Sequence, residues 1–265
     1  MIRIGMVIVV FAVLAALAGP MLTPYDPAAQ ELSRRLEGPS WAHPFGLDEL
    51  GRDILSRLLS GARISLMVGI AVVSVSSVVG MFLGSVAGYF GGLVDDVISR
   101  LVDVLMAFPG ILLAIALVAV LGPSLTNVVL ALSIIGWVGY ARLVRGQAMR
   151  AREFEFVQAA RALGAGAPRV VLRHVLPTAF PAVVVQATLG MAGAIIAEAA
   201  LSFLGLGVQP PTPSWGTMLD AGRSHLFDAP HLTIFPGLAI AALVLGFNFL
   251  GDGLRDRVDP KLAKS

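Results

Sequence analysis

His43, Asp48, Glu49 and Asp53 lie close together and are of metal-ligating type, while Glu198 is an acid inside a long apolar run. The first group lacks the ligand spacing of a zinc site. A lone His with scattered acids in a proline-marked stretch reads first as a solvated, hydrogen-bonded loop. A carboxylate within a membrane span marks a functional site by default. Counted from Pro177, Glu198 lies roughly 30 Å along a helix, near the opposite interface, which favours an interfacial or gate role over a proton relay. With no cysteine, thiolate nucleophiles, disulfides and Cys-ligated metals are excluded. No Ser/His/Asp arrangement or pair of carboxylates lies at a common depth, so an enzyme finds no support. The phosphate-cradling Gly-x-x-x-x-Gly-Lys-[Ser/Thr] is also missing: Lys264-Ser265 is the only Lys-Ser, and Ala263 precedes it. The apolar runs lack the charge pairs expected of a proton-driven carrier, and no inverted repeat is evident.

The stretch that most plainly meets water is Glu153 to Pro177, polar, basic and helically patterned. Phe156, Ala160 and Leu163 recur at i, i+4, i+7 with Val157 beside them, which predicts a short amphipathic helix. Gly164 and Gly166 can leave the helical region and Pro168 cannot continue an established helix, so a sharp turn follows.

Around these residues the composition demands a membrane. The 265 residues are 57% hydrophobic and 14% charged, with a mean hydropathy of +0.84. The pI near 9.4 reflects arginines in loops flanking apolar spans rather than a nucleic-acid partner. About six spans are expected, in an all-α integral membrane protein. They run from Ile4 to Leu22, Ile64 to Phe90, Leu101 to Leu121 with a kink at Pro109, Leu125 to about Val144, Val175 to about Leu201, and Leu232 to Leu250. A cleaved signal peptide is the alternative for the first, within residues 1–22. Residues 23–61 form an extramembrane segment with Pro24, Pro27, Pro39 and Pro44, and 62–265 a membrane core. Gly91 to Arg100, with Asp95 and Asp96, reads as a short turn. Gly80, Gly84 and Gly88 give one helix face a small-residue groove, for packing within the subunit before packing against a second one. Met106, Phe108 and Pro109 at the kink, with Gln186, Thr188 and Glu198, are the candidates for a pathway or gate. Residues 202–231 hold a proline-stiffened loop, read as a rigid surface tipped by Trp215.

Four stretches carry a family resemblance. Gln158-Ala159-Ala160, then three residues, Gly164, and further on Leu176-Pro177 resemble the EAA loop of permease subunits of ATP-binding-cassette importers. Gln158 stands where many members have Glu. Arg173-His174-Val175-Leu176-Pro177, with His174 in place of an aliphatic residue, looks like the dipeptide/oligopeptide/nickel branch. His43-Pro44-Phe45-Gly46 with Asp48-Glu49-Leu50-Gly51-Arg52-Asp53, the loop from Ser202 to Gly216, and the tail from Gly251 to Pro260 are similar to the same branch.

The resemblance implies a type I importer permease fold and import of dipeptides or short oligopeptides, with nickel, glutathione or haem as alternative cargo. It implies that residues 153–168 form a cytoplasmic coupling helix, with Glu153, Phe154, Phe156, Val157, Gln158, Ala159, Ala160, Leu163, Gly164 and Pro168 meeting the ATPase. The partners implied are a second permease subunit as heterodimer, two ATPase subunits carrying ATP and magnesium, and an extracytoplasmic substrate-binding protein. Gln209, Pro210, Pro211, Ser214 and Trp215 are the contacts expected for the last. This chain itself is expected to bind no cofactor. An ATPase-independent secondary carrier is the remaining alternative.

Arginine placement gives the orientation independently of resemblance. With a cytoplasmic N-terminus, Arg100, Arg142, Arg145, Arg150, Arg152, Arg161, Arg169, Arg173 and the C-terminal basic residues fall inside. Arg34, Arg35, Arg52, Arg57, Arg63 and Arg223 fall outside. The excess favours both termini in the cytoplasm of a bacterial plasma-membrane protein.

Overall fold

The computed structural model describes residues 1–23 and 25–258, so Pro24 and the tail from Asp259 to Ser265 lie outside the described residues. Among the described residues the secondary structure is helical apart from one isolated bridge, Leu47 with Asp53. The helices are α1 (Ile2–Leu22), α2 (Ile54–Phe90), α3 (Gly92–Met106), α4 (Gly110–Leu121) and α5 (Leu125–Ala151). After them come α6 (Glu155–Ala162), α7 (Ala167–Val170), α8 (Leu176–Phe203), α9 (Trp215–Gly222) and α10 (His231–Val258). A π turn, Val171–Val175, joins α7 to α8. Among the described residues, five helical stretches are long and apolar enough to cross a membrane, or six if α3 and α4 form one broken span.

The scaffold rests on two helix pairs. Helices α2 and α5 run parallel, and the groove of Gly80, Gly84 and Gly88 receives the α5 backbone. A Cβ on Gly80 would sit 2.7 Å from the Trp137 carbonyl oxygen, one on Gly84 3.0 Å from the Arg145 nitrogen, and one on Gly88 2.8 Å from the Ala148 Cβ. The stripe therefore packs within the subunit. Helices α1 and α10 run antiparallel, with Gly5 against Leu250 and Ile8 against Gly246. Helix α8 lies among α2, α5 and α10.

Two helix boundaries differ from those read in the sequence. Helix α2 begins at Ile54, inside the stretch read as extramembrane. Asp53 caps it, its carboxylate accepting from the Ser56 backbone N–H at 2.7 Å. The polar residues of its first turns hid it: Ser56 and Arg57 are buried against the outer segment. Second, Gly91 to Arg100 is helix α3, not a turn, and α4 departs from it at 85°. Asp95, Ser99 and Val102 lie on one side of α3. Asp95 accepts from Arg145 Nη2 at 2.7 Å, and Arg142 Nη2 reaches Asp103 at the same distance, which pins α3 across α5. The break at Ala107-Phe108-Pro109 is thus a corner between helices rather than a kink in one span.

Candidate functional site

Three places hold the residues singled out by sequence. The first is α6, at the end of the molecule where α2 and α5 both terminate. Phe154 starts the helix, and Gly164, at φ +85°, ends it: the Gly164 N–H reaches the Arg161 carbonyl and the Ala165 N–H the Ala160 carbonyl. Pro168 lies in the first turn of α7, where its missing N–H costs nothing. Val157 corrects the expectation that it belongs to an exposed docking face. It is fully buried with Ala148, Ala151, Val170 and Val175, so it anchors α6 to its own subunit. The Arg161 guanidinium lies 5.9 Å from the Tyr89 ring centre, tying α6 to the end of α2. The opposite face is free: Leu163 is 89% exposed, Phe156 50% and Phe154 40%. Glu153, Gln158 and Ala159 are exposed beside them, and Ala160 is half-buried. The Phe156 ring lies 6.1 Å from that of His174 and 5.6 Å from that of Phe154, a small aromatic cluster next to Leu163. Such an apolar face on a rigid anchor is suited to a groove in another protein.

The second place is an open pocket of about 280 Å³ lined by α2, α4, α5 and α8. Gln186 lines it together with Ser76, Tyr140 and Gly190. Tyr140 Oη donates to the Gln186 carbonyl at 3.5 Å. The Ser76 hydroxyl is buried without a hydrogen-bond partner among the described residues. Of the pathway candidates, only Gln186 is here. Met106 and Phe108 are exposed at the α3–α4 corner with Pro109, and the Thr188 hydroxyl turns back to the Val184 carbonyl at 2.9 Å. Ser76 and Tyr140 were missed because single polar groups in an apolar run carry little periodicity signal.

Glu198 is buried away from that pocket. Its Oε1 accepts from Ser202 Oγ at 2.7 Å and its Oε2 from Ser65 Oγ at 3.1 Å, joining α8 to α2. The geometry makes it a strut. Glu198→Gln keeps an acceptor for one serine and is expected to stay within about 1 kcal/mol of the wild type. Glu198→Ala strands both hydroxyls and opens a cavity, at a cost of roughly 2–4 kcal/mol. Thermal melts of the two variants in detergent check the contrast, and equal melting temperatures would remove Glu198 from the strut.

The third place is at the opposite end from α6, where the outer segment meets the loop after α8. Gln209, Pro210 and Pro211 are exposed there. Ser214 and Trp215 are not. Ser214 closes a capping box with Thr217 at the start of α9, and the Trp215 indole N–H donates to the Leu58 carbonyl at 2.9 Å, against α2. The exposed aromatic tips at this end are Trp41 and Phe227. Two acids of the segment before α2 are held by neighbours: Asp53 hydrogen-bonds His43 Nδ1 at 2.8 Å, and Asp48 pairs with Arg52 and Arg57. Beside them the hydrogen-bonded Arg34 guanidinium keeps the Glu37 carboxyl below its ordinary value.

Residues 80–264 match the family described as binding-protein-dependent transport system inner membrane component. The chain belongs to that family. Residues 1–39 of this permease match the N-terminal transmembrane domain of oligopeptide transport permease C. The permease is 47% identical to the dipeptide transport system permease protein DppC of Alkalihalophilus pseudofirmus, over 98% of this chain and 85% of that one. It is 50% identical to the glutathione transport system permease protein GsiD of Pectobacterium atrosepticum, over 91% and 80%. Among solved structures it is similar in fold to the inward-facing methionine ABC transporter MetNI, with a TM-score of 0.60 at 19% identity over 76% of this chain and 96% of that one. An amino acid ABC transporter gives 0.57 at 17% over 76% and 94%. The permease is therefore an all-helical, multi-pass inner-membrane protein.

Proposed function

We propose that the permease is the membrane subunit of an ATP-driven importer of short peptides, with α6 as the helix that receives force from an ATPase. The observation that carries this is the exposed cluster of Phe154, Phe156 and Leu163 on a helix locked to its own subunit by Val157. A docking surface that must push on the spans has to be rigid underneath and apolar on top. The chain has no P-loop of its own, so nucleotide, with magnesium, belongs on partner ATPases. One subunit offers one such helix, so two ATPases call for a second permease beside it. The arginine excess at the α6 end supports a cytoplasmic side for that end and for both termini. Gln209, Pro210 and Pro211 then face the other side, where a binding protein delivers cargo. The two relatives named for a dipeptide and for glutathione share a cargo chemistry, a short peptide with free charged ends, and this is the cargo class proposed here. Gln186, with Ser76 and Tyr140, gives the route its polar groups.

Reconstitution in proteoliposomes with the cognate partners tests this reading. Uptake of labelled alanyl-alanine should require ATP and the binding protein and should survive a protonophore. Uptake that persists without ATP and collapses with the protonophore would replace the importer by a secondary carrier.

A further inference from the structure

At the end opposite α6 lies a cleft of about 320 Å³ between the outer segment and the loop after α8, within the size range of small-ligand sites. Arg52 and Arg57 form part of its wall. Their side chains are 8% and 5% exposed, and one carboxylate serves both: Asp48 Oδ2 lies 2.6 Å from Arg52 Nε and 3.4 Å from Arg57 Nε. Arg57 Nη1 also donates to the Pro27 carbonyl at 3.2 Å. The remaining Nη groups of both arginines have no hydrogen-bond partner among the described residues. Asp48 alone touches both guanidinium groups, while Glu49 in the same wall acts on Arg57 through space without an ion-pair contact, and planar N–H forks are the donors that best match a carboxylate. Two acids also line the cleft. Asp220 is paired with Arg223 at 3.2 Å, whereas Glu49 has no ion-pair partner among the described residues.

We propose that this cleft is a binding site for a zwitterionic short peptide, with its α-carboxylate on the Arg52–Arg57 pair and its ammonium at Glu49. The cargo class rests on the peptide-importer reading above. The site itself rests on the guanidinium pair, the single shared Asp48 and the free Glu49. Gln209, Pro210 and Pro211 line the same cleft, so a peptide released there is met at the point of hand-over.

Calorimetry on the full chain in lipid nanodiscs, without a binding protein, tests the site with three probes: alanyl-alanine, its C-terminal amide and its N-acetyl form. The amide should bind at least tenfold more weakly than alanyl-alanine, and this comparison needs no mutation. Glu49→Gln should weaken alanyl-alanine several-fold and leave the N-acetyl form unchanged. Arg57→Lys, which keeps the charge on Asp48 and loses the fork, should weaken both acids. Equal binding of acid and amide, or carboxylate-selective binding insensitive to both variants, overturns the proposal. So does failure of the free peptide to bind while Arg57→Lys weakens association of the binding protein, since the carboxylate then belongs to that protein. ATP-driven peptide uptake without carboxylate-selective binding rejects the cleft and keeps the importer. Selective binding without ATP-driven uptake does the reverse.

Discussion

Replacing both Leu163 and Phe156 by Glu is expected to abolish ATP-driven uptake, by at least about 100-fold, while the subunit melts as the wild type does. Leu163 is almost wholly exposed and Phe156 half exposed, so within the subunit the change removes only the packing of Phe156 on Phe154 and His174. A docked partner has much to lose. Burying two large apolar side chains contributes roughly 1.5–3 kcal/mol each, and a carboxylate left unpaired in an interface costs several kcal/mol more. A loss of only 2.7 kcal/mol, about a factor of 100 in association, is well inside that range. Val157→Asp is the complementary variant. It places a charge among Ala148, Ala151, Val170 and Val175 and should lower the melting temperature itself, because it attacks the anchor rather than the surface. Co-purification with the ATPase reads the first effect and a thermal melt the second. If Leu163→Glu with Phe156→Glu still brings down the ATPase at wild-type yield, α6 is not the docking element.

What was legible in the sequence follows from which signals are local. Hydropathy found the long helices because lipid demands an unbroken apolar run of about 20 residues. The short helix α6 and the turn after it were legible because Gly164, Gly166 and Pro168 punctuate the stretch. Its buried side was not, because Val157 and Phe156 are adjacent apolar residues and only tertiary packing decides which one turns inward. Helix α3 was hidden for a related reason. Asp95 and Asp103 lower the hydropathy of a segment whose acids are matched by Arg145 and Arg142, far away in sequence. Trp215 looked like a loop tip because its partner, the Leu58 carbonyl, belongs to another helix. The Ser-x-x-Thr spacing from Ser214 was the available clue that a helix, not a tip, begins there.

Gly84→Leu is expected to be the most damaging single substitution in the membrane core, preventing accumulation of folded protein or lowering stability by more than about 4 kcal/mol. A Cβ at this position would run into the Ala141 carbonyl and lie 3.0 Å from both the Arg145 nitrogen and the Val144 Cβ. Two of those three are backbone atoms of α5, which no rotamer change can move aside. The helices must separate along their whole length, and in lipid no hydrophobic term draws them back, since acyl chains solvate the exposed faces as well as the partner helix did. Gly146→Ala is the control on α5: nothing lies within 4 Å of its added Cβ, and it should melt with the wild type. A folded Gly84→Leu protein with an unchanged melting temperature would mean that α2 and α5 are not in this contact. The contact also bears on transport. Arg152 donates to the Gly88 carbonyl at 3.5 Å, just where α5 hands over to α6, and Arg161 sits over Tyr89 at the end of α2. The glycine groove therefore makes α2, α5 and α6 one body. Under the docking proposed above, a push on Leu163 and Phe156 would move both long helices together, and Gly84→Ala should impair uptake more than it impairs stability.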